Sequence, residues 1–334
     1  LTRLEQIVAD LAIKLDQMGH EVHVVGPAES TIGQIGNIQL IDGGPKQPNA
    51  HAWEEAALEK QIKPRLDSGE FKDAIWHDHC WRKPIYKAKM ANPNLHVIAT
   101  LHGMVPYHQP PPVQNPCMVG LSKSHAQSIS SALGIKVRHC YNGIDLSKYN
   151  YNGQNRTDRY LFLGRINSYK APHAFIDLLE QAKVPGDVVG DDILVEDPSY
   201  VERVLGMCNQ LQGQVKYWGG VHRERAVEFF QHAKALVCPL LPPWSEPFNL
   251  TVVESMACGT PVIGTANGAL PELIEHGKTG YVAPFYQDLA PYMSDQMVNQ
   301  IKPEDCRERA KQFSREAMAI NYLKLYEQVQ EGGW

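Results

Sequence analysis

The chain has no long hydrophobic run. No apolar stretch in its 334 residues approaches the ~20 that a membrane-spanning helix needs, so no membrane span is expected. It has no excess of positive charge. With 32 Lys and Arg against 37 Asp and Glu, the net charge is −5, which leaves no overall basic field to recruit nucleic acid. Cysteine is sparse and carries no pairing pattern. The seven (Cys80, Cys117, Cys140, Cys208, Cys238, Cys258 and Cys306) are odd in number and scattered, and none forms Cys-x-x-Cys. That argues against a zinc ribbon or a disulfide framework and for reduced thiols in a cytoplasm. A low-complexity segment and a short-period repeat are also lacking, and from the start as given no secretory leader is expected. What remains is ordinary. A content of 43% hydrophobic and 21% charged residues suits a soluble globular protein, and the length favours two domains over one core.

The order of patterns is that of parallel α/β folding. Leu4, Ile7, Val8, Leu11, Leu15 and Met18 recur at helical spacing, Gly19 stops the helix, and a Val-rich strand follows through Val25. Residues 74–77, 96–101, 117–121 and 137–141 read as strands. Residues 50–66 and 124–133 read as helices, and the Pro-rich run 106–112 as a loop. After the turn signal Asn142-Gly143-Ile-Asp145 and a polar run, the pattern restarts. Strands are expected at 160–164, 187–190, 215–218, 235–240 and 261–264. Helices are expected at 172–182, 199–211, 223–232, 250–258 and 270–276. From Asp305 to Gln330 one amphipathic helix is expected. Two successive doubly wound units would hold a ligand at the carboxyl ends of their strands.

Chemistry concentrates in the run from Ser245 to Gly264. Glu246 falls in a loop after a strand, Asn249 can cap a helix that Gly259 ends, and Glu254 lies about one turn inside it. A loop carboxylate, first-turn amides and a second carboxylate suit a polyhydroxylated or phosphorylated ligand. Earlier, Gly164 permits a tight turn, and Arg165 and Lys170, five apart, can grip a diphosphate from two sides. A pair of surface cations is the plainer alternative.

The block resembles the retaining glycosyltransferases of family 4 (group 1), whose signature is Glu-x7-Glu, a small-residue helix and a Gly-Thr-Pro-Val strand. The likeness continues through Asn267-Gly-Ala-Leu-Pro-Glu272 and His276 to Pro284, and the pattern Gly-Arg-x4-Lys falls on Gly164, Arg165 and Lys170. The resemblance implies a GT-B architecture: two Rossmann-like α/β domains facing each other across a cleft, with a last helix packing back on the first domain. Residues 1–145 would form the acceptor-binding domain, 146–304 the nucleotide-sugar domain and 305–334 the crossover helix. Members also begin with a strand and a glycine-rich loop, whereas this sequence opens at Leu1-Thr-Arg-Leu, already in helical pattern.

The resemblance further implies transfer of a hexose from a nucleotide diphosphate sugar to a hydroxyl acceptor, with retained configuration and without metal or cofactor. A UDP-sugar, UDP-glucose in particular, is the family-weighted donor. Arg165 and Lys170 would hold the leaving diphosphate, Glu246 a sugar hydroxyl, and Glu254 the ribose. The stretch Pro247, Phe248, Asn249, Leu250 and Thr251 would orient the sugar, and backbone near Lys216, Tyr217 and Trp218 would hold the base. For the side chain of either aromatic, a core position is the favoured role. His102, directly after a strand, would reach the transferred sugar; a strand-capping loop histidine is the alternative.

His77-Asp78-His79 ends the preceding strand. Two histidines on one strand face invite a metal, but no third ligand is evident, so they read as lining an acceptor pocket. Asp78 could serve an acceptor hydroxyl or be an inert, hydrogen-bonded carboxylate. Arg82, Lys83, Lys87 and Lys89 with Trp81 and Tyr86 read as a solvated helix face, the alternatives being contact with an anionic acceptor or peripheral contact with the inner face of a membrane. The acceptor is a small molecule, a lipid-linked sugar or a glycan. Two other readings compete: a nucleotide-sugar-binding protein without turnover, and a phosphorylase or epimerase on the same scaffold. No lysine stands in a recognisable pyridoxal-phosphate context.

Overall fold

The computed structural model describes the chain except residues 1–2, 46–49, 104–112, 152, 154–155 and 192–196, and the side chains of Arg3, Ala50 and His51. The Pro-rich run 106–112 therefore lies outside the described residues. The chain divides into two compact units. One comprises Leu1–Gly143 with Arg315–Trp334, the other Ile144–Ser314.

The first unit contains β1 (His23–Gly26), β2 (Gln39–Asp42), β3 (Ile75–Asp78), β4 (His96–Thr100), β5 (Cys117–Gly120) and β6 (Val137–His139). All pairings are parallel, in a two-stranded sheet β1-β2 and a four-stranded sheet β3-β4-β5-β6. β4 and β5 are central and nearly continuous in apolar residues. Val97, Ile98, Ala99, Leu101, Met118 and Val119 are all buried, as a parallel sheet covered on both faces requires. The helix Arg3–Gln17 packs against the last helix, Arg315–Gln330, with Lys14 and Glu316 paired at 2.7 Å. The helical run expected over 50–66 is broken by a wider turn at Leu58–Ile62, just ahead of Pro64, whose ring nitrogen has no proton to donate. A cavity of about 540 Å³ is bounded by His23, Val25, Trp76 and Tyr326 among others.

The second unit contains β7 (Tyr160–Leu163), β8 (Gly186–Val189), β9 (Val215–Tyr217), β10 (Leu236–Cys238), β11 (Val262–Thr265) and β12 (Gly280–Ala283). They form one parallel sheet in the order β12-β11-β10-β7-β8-β9. β7 and β10 lie side by side, and the chain winds outward from this pair in both directions. The crevice beyond their carboxyl ends is the switch point where doubly wound sheets bind ligands. The helix Leu250–Ala257 is buried on every side. Asn249 caps it, accepting from the Thr251 N–H at 3.1 Å, and Gly259 closes it with φ +76°.

The single helix expected from Asp305 is two, Pro303–Lys311 in the second unit and Arg315–Gln330 in the first. The break has a local cause. Phe313 turns inward beside Phe248, with ring centres 6.0 Å apart, and its carbonyl accepts from the Ile144 N–H at 3.0 Å. Among the described residues no helix is long and apolar enough to cross a membrane.

Candidate functional site

Both loops at the switch point of the second unit carry residues singled out by sequence. The loop after β7 holds Gly164, Arg165 and Lys170, and the loop after β10 holds Glu246. The structure brings Lys170 and Glu246 into one ion pair, with Nζ and Oε2 2.5 Å apart and side chains only 18% and 9% exposed. Trp244 Nε1 donates to the same carboxylate oxygen at 3.2 Å, and the Trp244 ring stacks on Tyr169 with centres 4.2 Å apart. Arg165, exposed, lies 6.0 Å from the Tyr169 ring centre. Arg165, Tyr169, Trp244, Glu246 and Lys170 are thus one contiguous set: two cations, one carboxylate and an aromatic stack.

Backbone contacts fix this set. Asn167 Oδ1 accepts from the Lys170 N–H at 3.1 Å. The turn after β11 clamps Glu246 from the other side. Asn267 Oδ1 accepts from the Glu246 N–H at 3.0 Å, its Nδ2 donates to the Trp244 carbonyl, and the Glu246 carbonyl accepts from the Ala269 N–H at 2.9 Å. The close approach requires glycine at 268. Its φ is +55°, and a Cβ there would lie 2.2 Å from the Glu246 carbonyl oxygen. Next to β7, a Cβ on Gly190 would lie 1.9 Å from the Gly164 carbonyl oxygen, so two loops at the carboxyl end of the sheet touch through backbone alone.

Glu254 is 5% exposed, and its Oε1 accepts from Tyr149 Oη at 2.8 Å. Pro247, Phe248, Asn249 and Thr251 are buried, and Leu250 opens the helix. The first-turn amides of a helix lack carbonyl partners within it, which gives this end a positive character toward oxygen ligands.

The β9 end splits. Tyr217 donates to the Gly190 carbonyl at 3.0 Å, on the side of the crevice. Lys216 and Trp218 point to the other face, where Trp218 Nε1 donates to Asp187 at 2.9 Å and Lys216 Nζ sits 3.5 Å over the Trp218 ring. They line a separate cavity of about 430 Å³ with Arg159, Asp187, Arg225 and Phe229. A core position for Trp218 is not what forms: the residue is 36% exposed, because it lies at the end of an edge strand.

In the first unit, neighbouring strands bring the histidines together. His79 follows β3 and His102 follows β4, and His79 Nδ1 lies 2.9 Å from His102 Nε2. His77 contacts Tyr326 Oη through Nδ1 at 2.7 Å and Thr100 Oγ1 through Nε2 at 2.8 Å, and Thr100 meets Tyr322 Oη at 2.9 Å. Burial, then the charges of His79, His102 and Lys83, holds His77 well below the usual imidazole range. Burial and Lys83 take His79 down to about 3. Asp78 accepts from the Cys80 N–H at 2.8 Å and the Ile85 N–H at 3.2 Å, so it pins the loop after β3; burial pushes its carboxyl up and the buried Lys83 ammonium down. Among the described residues no group of three or more His, Cys, Asp and Glu could hold a metal ion. Part of the basic stretch does form a helix, Ile85–Ala91, but Lys83 and Tyr86 are buried rather than solvated.

Sequence reasoning missed Trp244, Tyr149, His125 and the tyrosines of the last helix as partners of these groups. His125 Nδ1 accepts from the Leu121 N–H at 3.1 Å, so its Nε2 carries the proton and donates to the Gly103 carbonyl at 2.9 Å, bracing the loop that carries His102. The pattern Ser122-x-x-His125 was the available signal, since Ser122 caps that helix.

Comparison with known proteins bears on the family and the fold. Residues 149–313 match the family described as glycosyl transferases group 1. The chain is 26% identical to spore coat protein SA of Bacillus subtilis (strain 168) over 58% of its own length and 59% of that protein's. It is 24% identical to N-acetyl-alpha-D-glucosaminyl L-malate synthase of Bacillus anthracis, covering 96% of this chain and 92% of the relative. Among solved structures, HepE of Anabaena in complex with UDP and glucose superposes with a TM-score of 0.72 at 17% identity, over 98% of this chain and 96% of that one. The fold is therefore that of GT-B glycosyltransferases, with two α/β units built on parallel sheets.

Proposed function

This chain belongs to the group 1 glycosyl transferases, and from that premise we propose that it moves a hexose from a nucleotide diphosphate sugar to a hydroxyl acceptor with retention of configuration. The observation that carries the reading is the paired Lys170 and Glu246 at the switch point of the second sheet, beside an Asn249-capped helix whose second turn presents Glu254. A uridine diphosphate sugar is the favoured donor, supported by the UDP in the HepE complex.

Arg165 and Lys170 take the diphosphate, since two cations from one loop stabilise charge that grows as it departs. Lys170 thereby shares its charge between the phosphate and Glu246. Glu246 accepts from a sugar hydroxyl, the amides of Phe248, Asn249 and Leu250 orient the sugar, and Glu254 takes the ribose. Backbone near Tyr217 holds the base. In the first unit, His77, Asp78 and His79 serve the acceptor and His102 the transferred sugar. The bond from the anomeric carbon to the β-phosphate oxygen breaks as the acceptor oxygen bonds to the same face. The acceptor proton passes to the departing diphosphate, so no covalent enzyme intermediate, metal or cofactor is needed. Two carboxylates acting in donor binding differ from the acid and nucleophile pair of a hydrolase. The reaction takes place at the cytoplasmic side.

The test is release of nucleoside diphosphate from UDP-, GDP- and ADP-sugars with hydroxyl acceptors, followed by assignment of the anomeric configuration of the product. An α-linked product from an α-linked donor supports the reading. An inverted product, or no acceptor-dependent release with any donor, contradicts it.

A further inference from the structure

The contact between His79 and His102 has a chemical consequence beyond lining a pocket. Two imidazole nitrogens 2.9 Å apart share one proton, so one ring donates and the other accepts. The character of the second nitrogen of each ring follows from that choice. His79 stays neutral at physiological pH, because burial and the Lys83 charge hold it down to about 3.

The orientation of His79 is itself fixed. Its ring lies against that of His77, with centres 4.0 Å apart and planes 36° apart. His77 is tied at both nitrogens, to Tyr326 and Thr100. The loop carrying His79 is pinned by the Asp78 carboxylate, and Lys83 donates to the Cys80 carbonyl. On the other side, His125 holds the Gly103 carbonyl next to His102. Both ends of the contact are thus braced, by His77 and Asp78 on one side and by His125 on the other.

We infer that His79 is a positioning residue for His102, holding that imidazole in one ring orientation and one tautomer. This rests on the proposed transfer reaction for its kinetic consequence, not for its structural one. The nearest alternative role, that His79 only fills space beside His77, makes a different prediction for each arm of the test.

The first arm is nitrogen-resolved NMR of the His102 ring in the wild type, His79→Leu and His79→Asn. Asparagine can place an amide group where Nδ1 of His79 stands, and leucine cannot. One tautomer is expected in the wild type, a mixture in His79→Leu, and the single form largely restored in His79→Asn. The second arm is steady-state kinetics. Loss of a partner that orients a metal-ligating imidazole typically costs about 10- to 100-fold, and the same scale is expected for an imidazole oriented toward a sugar. His79→Leu should therefore lose kcat on that scale with little change in KM for the nucleotide sugar, and His79→Asn should recover most of it. A His102 ring that keeps one tautomer in His79→Leu overturns the inference, as does an equal loss of kcat in both variants. Should the wild type transfer no sugar at all, the proposed reaction fails, while the NMR arm still decides the role of His79.

Discussion

Removing the Lys170 ammonium should expose how much the crevice depends on one ion pair. Exposed pairs contribute ~0.2–1 kcal/mol, whereas breaking a buried pair by deleting one partner costs ~3–5 kcal/mol. Lys170 and Glu246 lie between these limits, nearer the buried one, at 18% and 9% exposure and 2.5 Å separation. In Lys170→Ala the Glu246 carboxylate keeps the Trp244 N–H at 3.2 Å, which offsets part of the loss. A cost of about 2 kcal/mol follows, a value intermediate between the two limits. For a unit of this size that corresponds to a fall of roughly 4–8 °C in the unfolding midpoint. The cycle comprises the wild type, Lys170→Ala, Glu246→Gln and the double variant Lys170→Ala with Glu246→Gln, which removes both charges and should recover more than half of the cost of Lys170→Ala. Thermal unfolding of the four proteins gives the coupling directly. Single-variant costs that simply add, or a Lys170→Ala cost below ~0.5 kcal/mol, would refute the reasoning, because such values belong to a solvated surface pair.

Three further outcomes are expected. Gly268→Ala should lower the unfolding midpoint and the transfer rate together, since its Cβ would collide with the Glu246 carbonyl and its φ of +55° costs a side-chain-bearing residue ~1–3 kcal/mol; an unchanged midpoint contradicts the clamp. Arg165→Ala should reduce turnover by ~10²–10³, the scale for losing one charge-stabilising group, while barely changing stability, because Arg165 is exposed; a full-rate variant removes its assigned role. Stability should fall as pH drops from ~6.5 toward 3, because the unfolded chain takes up protons that His77 and His79 in the folded chain refuse. The slope is at most ~1.4 kcal/mol per pH unit for each histidine, and His79→Asn should flatten it in urea titrations at stepped pH.

Much of the second unit was legible because local signals agree with the fold. The helix Pro172–Ala182 begins at a proline, and Leu250–Ala257 is bracketed by Asn249 and Gly259. β2 and β12 were not foreseen. Gln39–Asp42 and Gly280–Ala283 are each four residues long, and their stability comes from parallel partners distant in sequence or in another loop. The loop motifs named Arg165, Lys170 and Glu246, but not that Lys170 would bond Glu246. Sequence spacing gives no distance across a sheet. The same limit hid Trp244, which matters only because Tyr169 stacks on it, and His125, whose proton position depends on the Leu121 amide. Trp218 was misjudged as a core aromatic because an edge strand and a central strand read alike over three residues.

The most direct test of donor binding at the Lys170–Glu246 crevice is the unfolding midpoint of the wild type, Arg165→Ala and Lys170→Ala against UDP-, GDP- and ADP-sugars, each beside its bare nucleoside diphosphate. A ligand that binds only the folded chain at 100 times its Kd adds ~2.7 kcal/mol. A clear rise with one nucleotide class, much reduced in both variants, is the predicted result. No rise with any nucleotide, or a rise that both variants keep in full, would contradict the assignment of this crevice to the donor.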